Sequence, residues 1–374
     1  MAVKFTYGYS INIKYICYMQ LPNFLLYGAN GYTAGLIIRM AADYGVRPIL
    51  AGRSEAAIRP LAEQYSLEYR IASLDKPEAV DALLAGIQVV LHAAGPFQHT
   101  ALPMMEACIR NRVHYLDITG EITVFEMGKR FHQKALDAGI MIMPGVGFDV
   151  VPTDCMALFV KNHLPDATHL ELAFATLGGM LSHGTASTMA ENLGGSGAAR
   201  EGGKIVRKPI GEKGKWIDFG LKSIFCMSIP WGDISTAYTT TGIPNIVTYT
   251  RSSPGTFKML RWQGMFNWIL RLDFVKNYYK KKIKQKPAGP SDEMREKATS
   301  LIWAQATNAA GKTFTARLRT AEGYTLTAIT SLLITQKVLA GNVTPGYHTP
   351  ASLYGADLIL EVPNTQREIV PEAK

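Results

Sequence analysis

The sequence predicts an α/β protein with a Rossmann-type doubly wound parallel sheet and a second α+β domain with a mixed sheet. Between residues 21 and 144, six short apolar runs alternate with segments of helical periodicity. Strands that alternate with helices in this way form βαβ units, whose right-handed crossovers build a parallel sheet. After about residue 165 the chain changes to long Thr-rich and Tyr-rich runs, which have the composition of strands. This change predicts the second domain.

The apolar runs give the order of the predicted elements. The strands of the first domain are predicted over residues 21–27, 48–51, 69–73, 87–93, 114–118 and 140–144, and the helices over 32–44, 56–65, 77–84, 101–111 and 123–138. In the second domain we predict strands over 171–177, 235–249 and 313–330, and a helix over 330–340. Residues 1–18 are predicted to be an extension. An additional strand is the alternative, because their apolar side chains alternate.

Composition excludes several classes of protein. With 47% hydrophobic and 18% charged residues among 374, the chain does not have the composition of a disordered protein. The four cysteines have no CxxC or CxxH spacing, so we predict no disulfide framework, no metal site and a cytoplasmic location. The absence of HExxH, GxSxG and GxxxxGK motifs leaves no support for a metalloprotease, a serine hydrolase or an NTPase.

A glycine-rich loop separates the first predicted strand from the first helix. Its sequence, GANGYTAG over residues 28–35, places Gly28 at the turn and Gly31 where the backbone can approach a pyrophosphate. The helix that follows offers free N–H groups at its N-terminus. Glycines at this spacing are a weak signal alone, but between a strand and a helix they predict a dinucleotide-binding loop. A purely structural turn is the alternative.

The end of the second strand indicates which dinucleotide binds. An NAD site needs a carboxylate there for the ribose 2′-hydroxyl, whereas this chain has Arg53 and Ser54. Because a guanidinium and a hydroxyl suit a 2′-phosphate, we predict NADP rather than NAD. The alternative is that Arg53 is a solvated surface residue and that NAD binds weakly.

The candidates for catalysis are polar residues near the end of the fifth strand and one histidine. Tyr115, Asp117 and Glu121 lie at the edge where such sheets bind ligands. Asp117 or Glu121 could bind substrate or act as an acid or base. The alternative is a capping role, because Glu121 lies just ahead of a predicted helix that Thr119 could cap. His183 lies in a predicted polar loop and is a candidate acid, with simple solvation as the alternative. Residues 148–154 are predicted to be a structural hinge into the second domain.

Most of the net charge of +9 lies in one segment. Residues 258–286 contain nine basic residues and one acidic residue, and apolar residues recur there at helical spacing. We predict a basic amphipathic helix over 257–286. Three interpretations stay open: a helix packed on the second domain, a lid or dimer face, and a peripheral contact with a membrane interface. Nucleic acid is not a predicted partner, because no recognised binding module accompanies the charge.

Together the motifs resemble the saccharopine dehydrogenase-like NADP-binding oxidoreductases, and most of all their uncharacterised members and the trans-acting enoyl reductases. The resemblance covers roughly residues 19–360. One departure is Ala34, where the family loop usually has a third glycine, a change that NADP-type loops tolerate. The main matching stretches are GANGYTAG (28–35), AGRS (51–54), AAGPF (93–97), HYLDITGE (114–121) and PGVGFDVVPTD (144–154).

The resemblance implies that the loop after the fourth strand contacts the pyrophosphate or the nicotinamide ribose, and a plain turn is the alternative. It also implies that the C-terminal segment packs back on the first domain. The expected domains are a dinucleotide-binding domain over 19–150, a substrate and dimerisation domain over 151–335, and the C-terminal segment over 336–374. The predicted cofactor-binding residues are Gly28, Asn30, Gly31, Tyr32, Thr33, Arg53, Ser54, Ala94, Gly95, Pro96 and Phe97.

Two hypotheses of function follow. The first is an NADP-dependent oxidoreductase that transfers a hydride to or from a small organic substrate, such as an enoyl or keto compound. The second is a non-catalytic dinucleotide-binding scaffold that attaches to a membrane surface or a partner through the basic helix over 257–286. The lack of a recognisable catalytic motif does not decide between them, because the cofactor carries the chemistry of hydride transfer.

Overall fold

Six strands from the N-terminal half and one from the C-terminal segment form the first sheet. The computed structural model describes residues 21–191, 193–261 and 267–371, so the prediction for residues 1–18 lies outside the described residues. The strands are β1 (Asn23–Tyr27), β2 (Arg47–Gly52), β3 (Tyr69–Ile71), β4 (Val89–His92), β5 (His114–Asp117), β6 (Met141–Met143) and β15 (Gly346–Tyr347).

All neighbouring strands of this sheet are parallel, in the order β15-β6-β5-β4-β1-β2-β3. The strand order reverses between β1 and β4, which is where doubly wound sheets bind ligands. The strands are buried because helices pack on the sheet. The helices between β1 and β6 are α1 (Tyr32–Met40), α2 (Glu55–Tyr65), α3 (Pro77–Leu83), α4 (Phe97–Asn111), α5 (Ile122–Arg130) and α6 (His132–Ala138), with a 3₁₀ turn at Ala41–Tyr44.

The second sheet is mixed. Its strands are β7 (Ala167–Leu177), β8 (Gly197–Glu201), β9 (Lys204–Lys208), β10 (Gly214–Asp218), β11 (Ser223–Ile229), β12 (Asn245–Arg251), β13 (Thr299–Asn308), β14 (Thr313–Ala321) and β16 (Gln366–Val370). The main path runs β10-β11-β12-β7-β13-β14-β16, and only the β12–β7 pair is parallel. Strand β8 pairs with β12 and β9. This arrangement confirms the predicted fold class.

One buried core joins the two sheets. Helix α7 (Val151–His163) packs on β7, β13 and β14, and α14 (Gly323–Leu339) packs on α1 and β4. The buried cluster runs from Phe24 on β1 to Leu172 on β7 without a break. The exact limits of the two domains stay a prediction. The other helices are α8 (His183–Glu191), α9 (Asp233–Thr241), α10 (Pro254–Arg261), α11 (Asn267–Leu270), α12 (Asp273–Lys284), α13 (Asp292–Lys297) and α15 (Pro350–Tyr354), with a 3₁₀ turn at Leu358–Glu361.

Two predicted strands are partly wrong, because Thr-rich segments form buried helices. The prediction over 235–249 covers most of α9 before β12 begins, and that over 313–330 covers β14 and then the start of α14. Several threonine hydroxyls in these helices donate to carbonyl oxygens of the preceding turn. The Thr241 hydroxyl donates to Ala237 O over 2.6 Å, and the Thr327 hydroxyl donates to Gly323 O over 2.8 Å. Such bonds let tertiary burial override the β propensity of threonine.

The described part of the basic segment contains a break between two helices. The prediction of one continuous helix over 257–286 is wrong, because α11 ends at Leu270 and α12 begins at Asp273, with Leu272 in an extended conformation between them. The predicted apolar positions Trp262, Met265 and Phe266 lie outside the described residues. In the described part of the chain, no helix combines the length and the apolarity needed to cross a membrane.

Candidate functional site

The loop between β1 and α1 lies directly against the loop that follows β4. Gly28 has a φ of +86°, a left-handed conformation that residues with a Cβ rarely adopt. A Cβ on Gly28 would lie 2.8 Å from Ala94 Cβ and 2.9 Å from the carbonyl carbon of Ala93. The Gly28 amide donates to Ala51 O on β2 over 2.8 Å. The glycine therefore allows three adjacent strand ends to meet at the switch point.

The first turn of α1 has free amide groups. The helix begins at Tyr32, and the N-cap residue, Gly31, provides no side chain to cap it. The first N–H groups of a helix have no partner within the helix. Because Gly31 has no side chain, the amides of Tyr32 and Thr33 next to the loop receive no side-chain cap from it. Asn30 is exposed beside them. These groups fit a pyrophosphate, which helix N-termini bind through their amides and dipole.

Arg53 and Ser54 lie at the end of β2, on the same edge of the sheet. Both side chains are exposed. Within residues 21–191, 193–261 and 267–371, neither side chain forms an ion pair or hydrogen bond with the protein. An unpaired guanidinium beside the dinucleotide loop fits a 2′-phosphate, which accepts two parallel N–H bonds from arginine. The contact itself stays a prediction.

The loop after β4 has small residues at the switch point. Gly95 is exposed, and Ala94 and Pro96 are partly exposed. The Thr100 hydroxyl donates to Ala94 O over 2.6 Å and so ties the loop to the start of α4. Small residues held in this way leave room for a ligand against the backbone. Cofactor contact at this loop also stays a prediction.

Glu121 caps a helix, but not the one that follows it. It occupies the N-cap position of α5 without a side-chain hydrogen bond to that helix. Its two carboxylate oxygens instead accept the amides of Phe97 and Gln98, over 2.9 and 2.8 Å, at the start of α4. Burial raises the pKa of Glu121 above its ordinary value, and these two bonds oppose the shift. Glu121 therefore caps α4, beside the loop after β4, and not α5, the helix that follows it.

Tyr115 and Asp117 form a buried polar pair. The Tyr115 hydroxyl donates to Asp117 Oδ2 over 2.7 Å. Asp117 Oδ1 accepts the amides of Thr119 and Gly145, over 2.9 and 2.8 Å. Both side chains are fully buried, and burial raises the pKa of Asp117 to about 7. Because the Asp117 carboxyl joins β5 to the loop after β6, the geometry favours a structural role for Asp117 over a catalytic one.

His183 fastens a segment of the second domain. It is the first residue of α8, so the predicted loop at this position is wrong. Its amide donates to Ala288 O over 2.9 Å, and its Nε2 atom lies 2.7 Å from Lys286 O. These contacts hold the chain that follows α12. The role of His183 as an acid stays a prediction, and these contacts do not support it.

The same segment, residues 286–290, contacts the first residue of α1. The Tyr32 hydroxyl donates to Pro290 O over 2.5 Å and accepts from Arg295 Nη1 over 2.7 Å. A Cβ on Gly289 would lie 2.5 Å from the Tyr32 ring, so the two chains are in close contact. The second domain therefore reaches the dinucleotide loop directly.

Asp149 is a carboxyl at this edge that sequence reasoning assigned to a structural hinge. A Cβ on Gly120 would lie 2.6 Å from Asp149 Oδ2, so the glycine makes room for this carboxyl. Trp231 Nε1 donates to the main-chain oxygen of Asp149 over 3.1 Å. Burial, and then the charge of Glu121, raise the pKa of Asp149 to about 7. The signal that could have identified it is its position just after the sixth strand.

Aromatic side chains pack next to Asp149. The ring centroids of Phe148 and Phe174 lie 5.8 Å apart, and those of Phe174 and Trp231 lie 4.7 Å apart. Phe148 and Trp231 are partly exposed. These three side chains form an aromatic wall beside the loop after β6, at the edge of the first sheet. Among the described residues, no cluster of His, Cys, Asp and Glu could hold a metal ion.

Comparison with known proteins agrees with this geometry. Residues 24–143 match the family model described as the saccharopine dehydrogenase NADP binding domain. A human saccharopine dehydrogenase-like oxidoreductase is 27% identical over 173 residues, which cover 41% of this chain and 40% of that protein. A trans-acting enoyl reductase from Mycobacterium bovis (strain BCG / Pasteur 1173P2) is 34% identical over 140 residues, which cover 35% of this chain and 33% of that protein. The matched regions therefore span well under half of these curated relatives.

A solved structure matches over nearly the whole chain. It is the apo histidine-tagged saccharopine dehydrogenase (L-Glu forming) from Saccharomyces cerevisiae, with a TM-score of 0.64 over 94% of this chain and 100% of that chain. At 15% identity this likeness establishes the fold alone. The comparisons confirm the resemblance predicted from the motifs, and they confirm NADP as the cofactor of the matched domain type.

Proposed function

We propose that this chain, whose residues 24–143 form a saccharopine dehydrogenase NADP-binding domain, is an NADP-dependent oxidoreductase that transfers a hydride to or from a small organic substrate. One observation carries the proposal. The uncapped start of α1 and the unpaired side chain of Arg53 lie on one edge of the sheet, where they fit the pyrophosphate and the 2′-phosphate of a single NADP molecule.

NADP supplies the hydride chemistry when it is bound, and the chain supplies binding and orientation. The amides of Tyr32 and Thr33 would hold the pyrophosphate, and Arg53 would hold the 2′-phosphate. The loop at Ala94 and Gly95 would support the rest of the dinucleotide. Glu121 fixes the start of α4 and so holds this loop in place.

The aromatic wall supports an enoyl or keto compound with an apolar chain as the substrate class. Phe148 and Trp231 offer partly exposed apolar surface at the loop after β6, and the buried ring of Phe174 packs against both. A mycobacterial relative is named a trans-acting enoyl reductase, which agrees with such a substrate. The whole-chain activity of the relatives is a guide only, because this chain matches a minor part of their length.

The experiment is a spectrophotometric assay of NADPH consumption with enoyl and keto compounds of increasing chain length. We expect turnover, with kcat/KM rising as the chain lengthens. Trp231→Ala should flatten this rise, because burial of each methylene is worth about 0.8 kcal/mol. Trp216→Ala is a matched control, since Trp216 is 66% exposed on β10 of the second sheet. Absence of NADPH consumption with every compound would contradict the proposal.

The second candidate function is attachment to a membrane surface through the segment 257–286. The observation that favours it is a set of large apolar side chains left in solvent among lysines: Met259, Trp268 and Phe274 are 66%, 67% and 68% exposed. Aromatic residues flanked by lysines suit an anionic lipid interface. A homodimer formed through the same surface is the competing interpretation.

Flotation with vesicles tests this candidate. The chain should float with vesicles that contain phosphatidylserine and remain unbound with neutral phosphatidylcholine. The double variant Trp268→Ala/Phe274→Ala should reduce flotation, whereas Trp216→Ala should not. If flotation is absent and sedimentation shows a dimer that the double variant dissociates, the surface is a dimer face instead.

A further inference from the structure

Asp149 differs from the other acidic groups at the carboxyl edge of the first sheet. Asp117 accepts three hydrogen bonds from protein groups, and Glu121 accepts two amides. The Asp149 carboxyl has no hydrogen-bond partner within residues 21–191, 193–261 and 267–371. It occupies space that Gly120 leaves open, while its own main-chain oxygen is fixed by Trp231. It is therefore a positioned carboxyl available to a ligand.

The direction of the dinucleotide places this carboxyl at a particular end of the ligand. Arg53 follows β2 and marks the end that carries the 2′-phosphate, and the pyrophosphate site at α1 follows β1. On the side of β1 that is away from β2, the next strands of the sheet are β4, β5 and β6. The nicotinamide end therefore extends toward the loops after these strands, and Asp149 lies in the loop after β6.

We propose that Asp149 is the ionisable side chain that faces the nicotinamide ring, and that its carboxylate favours the oxidised over the reduced cofactor. This inference depends on the proposed function, because it needs NADP bound at this edge. The ring carries a positive charge in NADP⁺ and none in NADPH. A carboxylate held in partly buried surroundings is attracted only to the charged ring, and low water content strengthens that attraction.

The groups that face Asp149 do not replace this effect. Glu121, at the start of α5, is a second acidic group that raises the pKa of Asp149, but both of its oxygens accept amides of α4. Asp233, at the start of α9, is fully buried, with one oxygen accepting from Thr153 and burial raising its pKa well above the ordinary value. Asp117, on β5, also has a pKa raised to about 7, but its carboxyl already accepts three protein hydrogen bonds. The Asp149 carboxyl, with its pKa raised to about 7, is the one left available to the ligand, and the variant Asp149→Asn distinguishes the two groups.

The test measures the affinities of NADP⁺ and NADPH by calorimetry as a function of pH. The 2′-phosphate titrates in both forms, so its contribution cancels in the ratio of the two affinities. We expect the preference for NADP⁺ to rise about tenfold between pH 6 and pH 8, which corresponds to one unit of linked pKa shift. NADP⁺ binding near pH 7 should also release protons, which is measured as a dependence of the binding heat on the buffer.

Three variants locate the effect. Asp149→Asn should make the affinity ratio independent of pH, and it replaces a carboxyl that accepts no protein hydrogen bond. Gly120→Ala keeps the carboxyl but displaces it, so the pH dependence should weaken. Asp43→Asn is the matched control, because Asp43 is exposed in the 3₁₀ turn after α1, at the opposite edge of the sheet.

The possible outcomes separate the two proposals. If both cofactors bind and the ratio stays constant within about twofold in the unmodified chain, the role of Asp149 is refuted and the proposed function stands. If the ratio changes with pH equally in Asp149→Asn, another group is responsible and the role of Asp149 is again refuted. If neither cofactor binds, both the proposed function and this inference are refuted.

Discussion

Gly28→Ala tests the close approach of the two loops at the switch point. The new Cβ would lie 2.8 Å from the Cβ and amide nitrogen of Ala94, and the residue would keep a φ of +86°. The left-handed conformation costs roughly 1–2 kcal/mol for a residue with a Cβ. Displacement of the backbone at Ala93 and Ala94 adds roughly 1–3 kcal/mol, as for other overpacked sites. We expect the free energy of unfolding to fall by about 2–5 kcal/mol.

Gly35→Ala is the matched control for this prediction. Gly35 lies inside α1, and a Cβ there would meet no atom within 4 Å. Alanine should therefore stabilise the helix by roughly 0.5–1 kcal/mol. Guanidinium denaturation of both variants measures the difference, and calorimetry with NADPH should show at least about tenfold weaker binding for Gly28→Ala. Equal denaturation midpoints for the two variants would refute the packing argument.

Two other predictions concern stability and dynamics. In the unmodified chain the pKa of Asp149 is about 7 when folded, above the ordinary value of 3.8, so its ionisation opposes folding between these pH values. The variant Asp149→Asn lacks this effect. As pH rises from about 4 to 7, its free energy of unfolding should therefore increase relative to that of the unmodified chain by roughly 1–3 kcal/mol. Denaturation at several pH values measures this difference, and a constant difference between the two proteins would contradict it. Tyr32→Phe removes the hydroxyl that donates to Pro290 O and accepts from Arg295. The lost hydrogen bonding is worth about 1–1.5 kcal/mol, so amide hydrogen exchange over 286–290 should become about tenfold faster. An unchanged exchange rate, checked by mass spectrometry, would show that Tyr32 does not hold this segment.

The first sheet was predictable because its signals are local. Each strand is a short apolar run, and the glycine loop at 28–35 lies between a strand and a helix in the sequence itself. Helix α14 was misassigned in part because its threonine hydroxyls bond to its own carbonyl oxygens, and burial then overrides propensity.

The candidate site was only partly predictable. Glu121 was identified at the correct edge, but its engagement with α4 depends on how two distant loops meet. Asp149 was assigned a structural role, because the absence of a partner for a carboxyl group is a property of the tertiary structure. The contact between Tyr32 and Pro290 joins residues 258 positions apart, and no sequence pattern indicates it.

The most direct test of the central claim is a calorimetric comparison of NADPH and NADH binding by the unmodified chain and by Arg53→Ala. An arginine–phosphate contact is worth about 1.5–3 kcal/mol, so NADPH should bind about 10- to 100-fold more tightly than NADH. Arg53→Ala should remove that preference and leave NADH affinity unchanged. Equal affinities for the two cofactors, or no binding of either, would contradict the assignment of this edge as an NADP site.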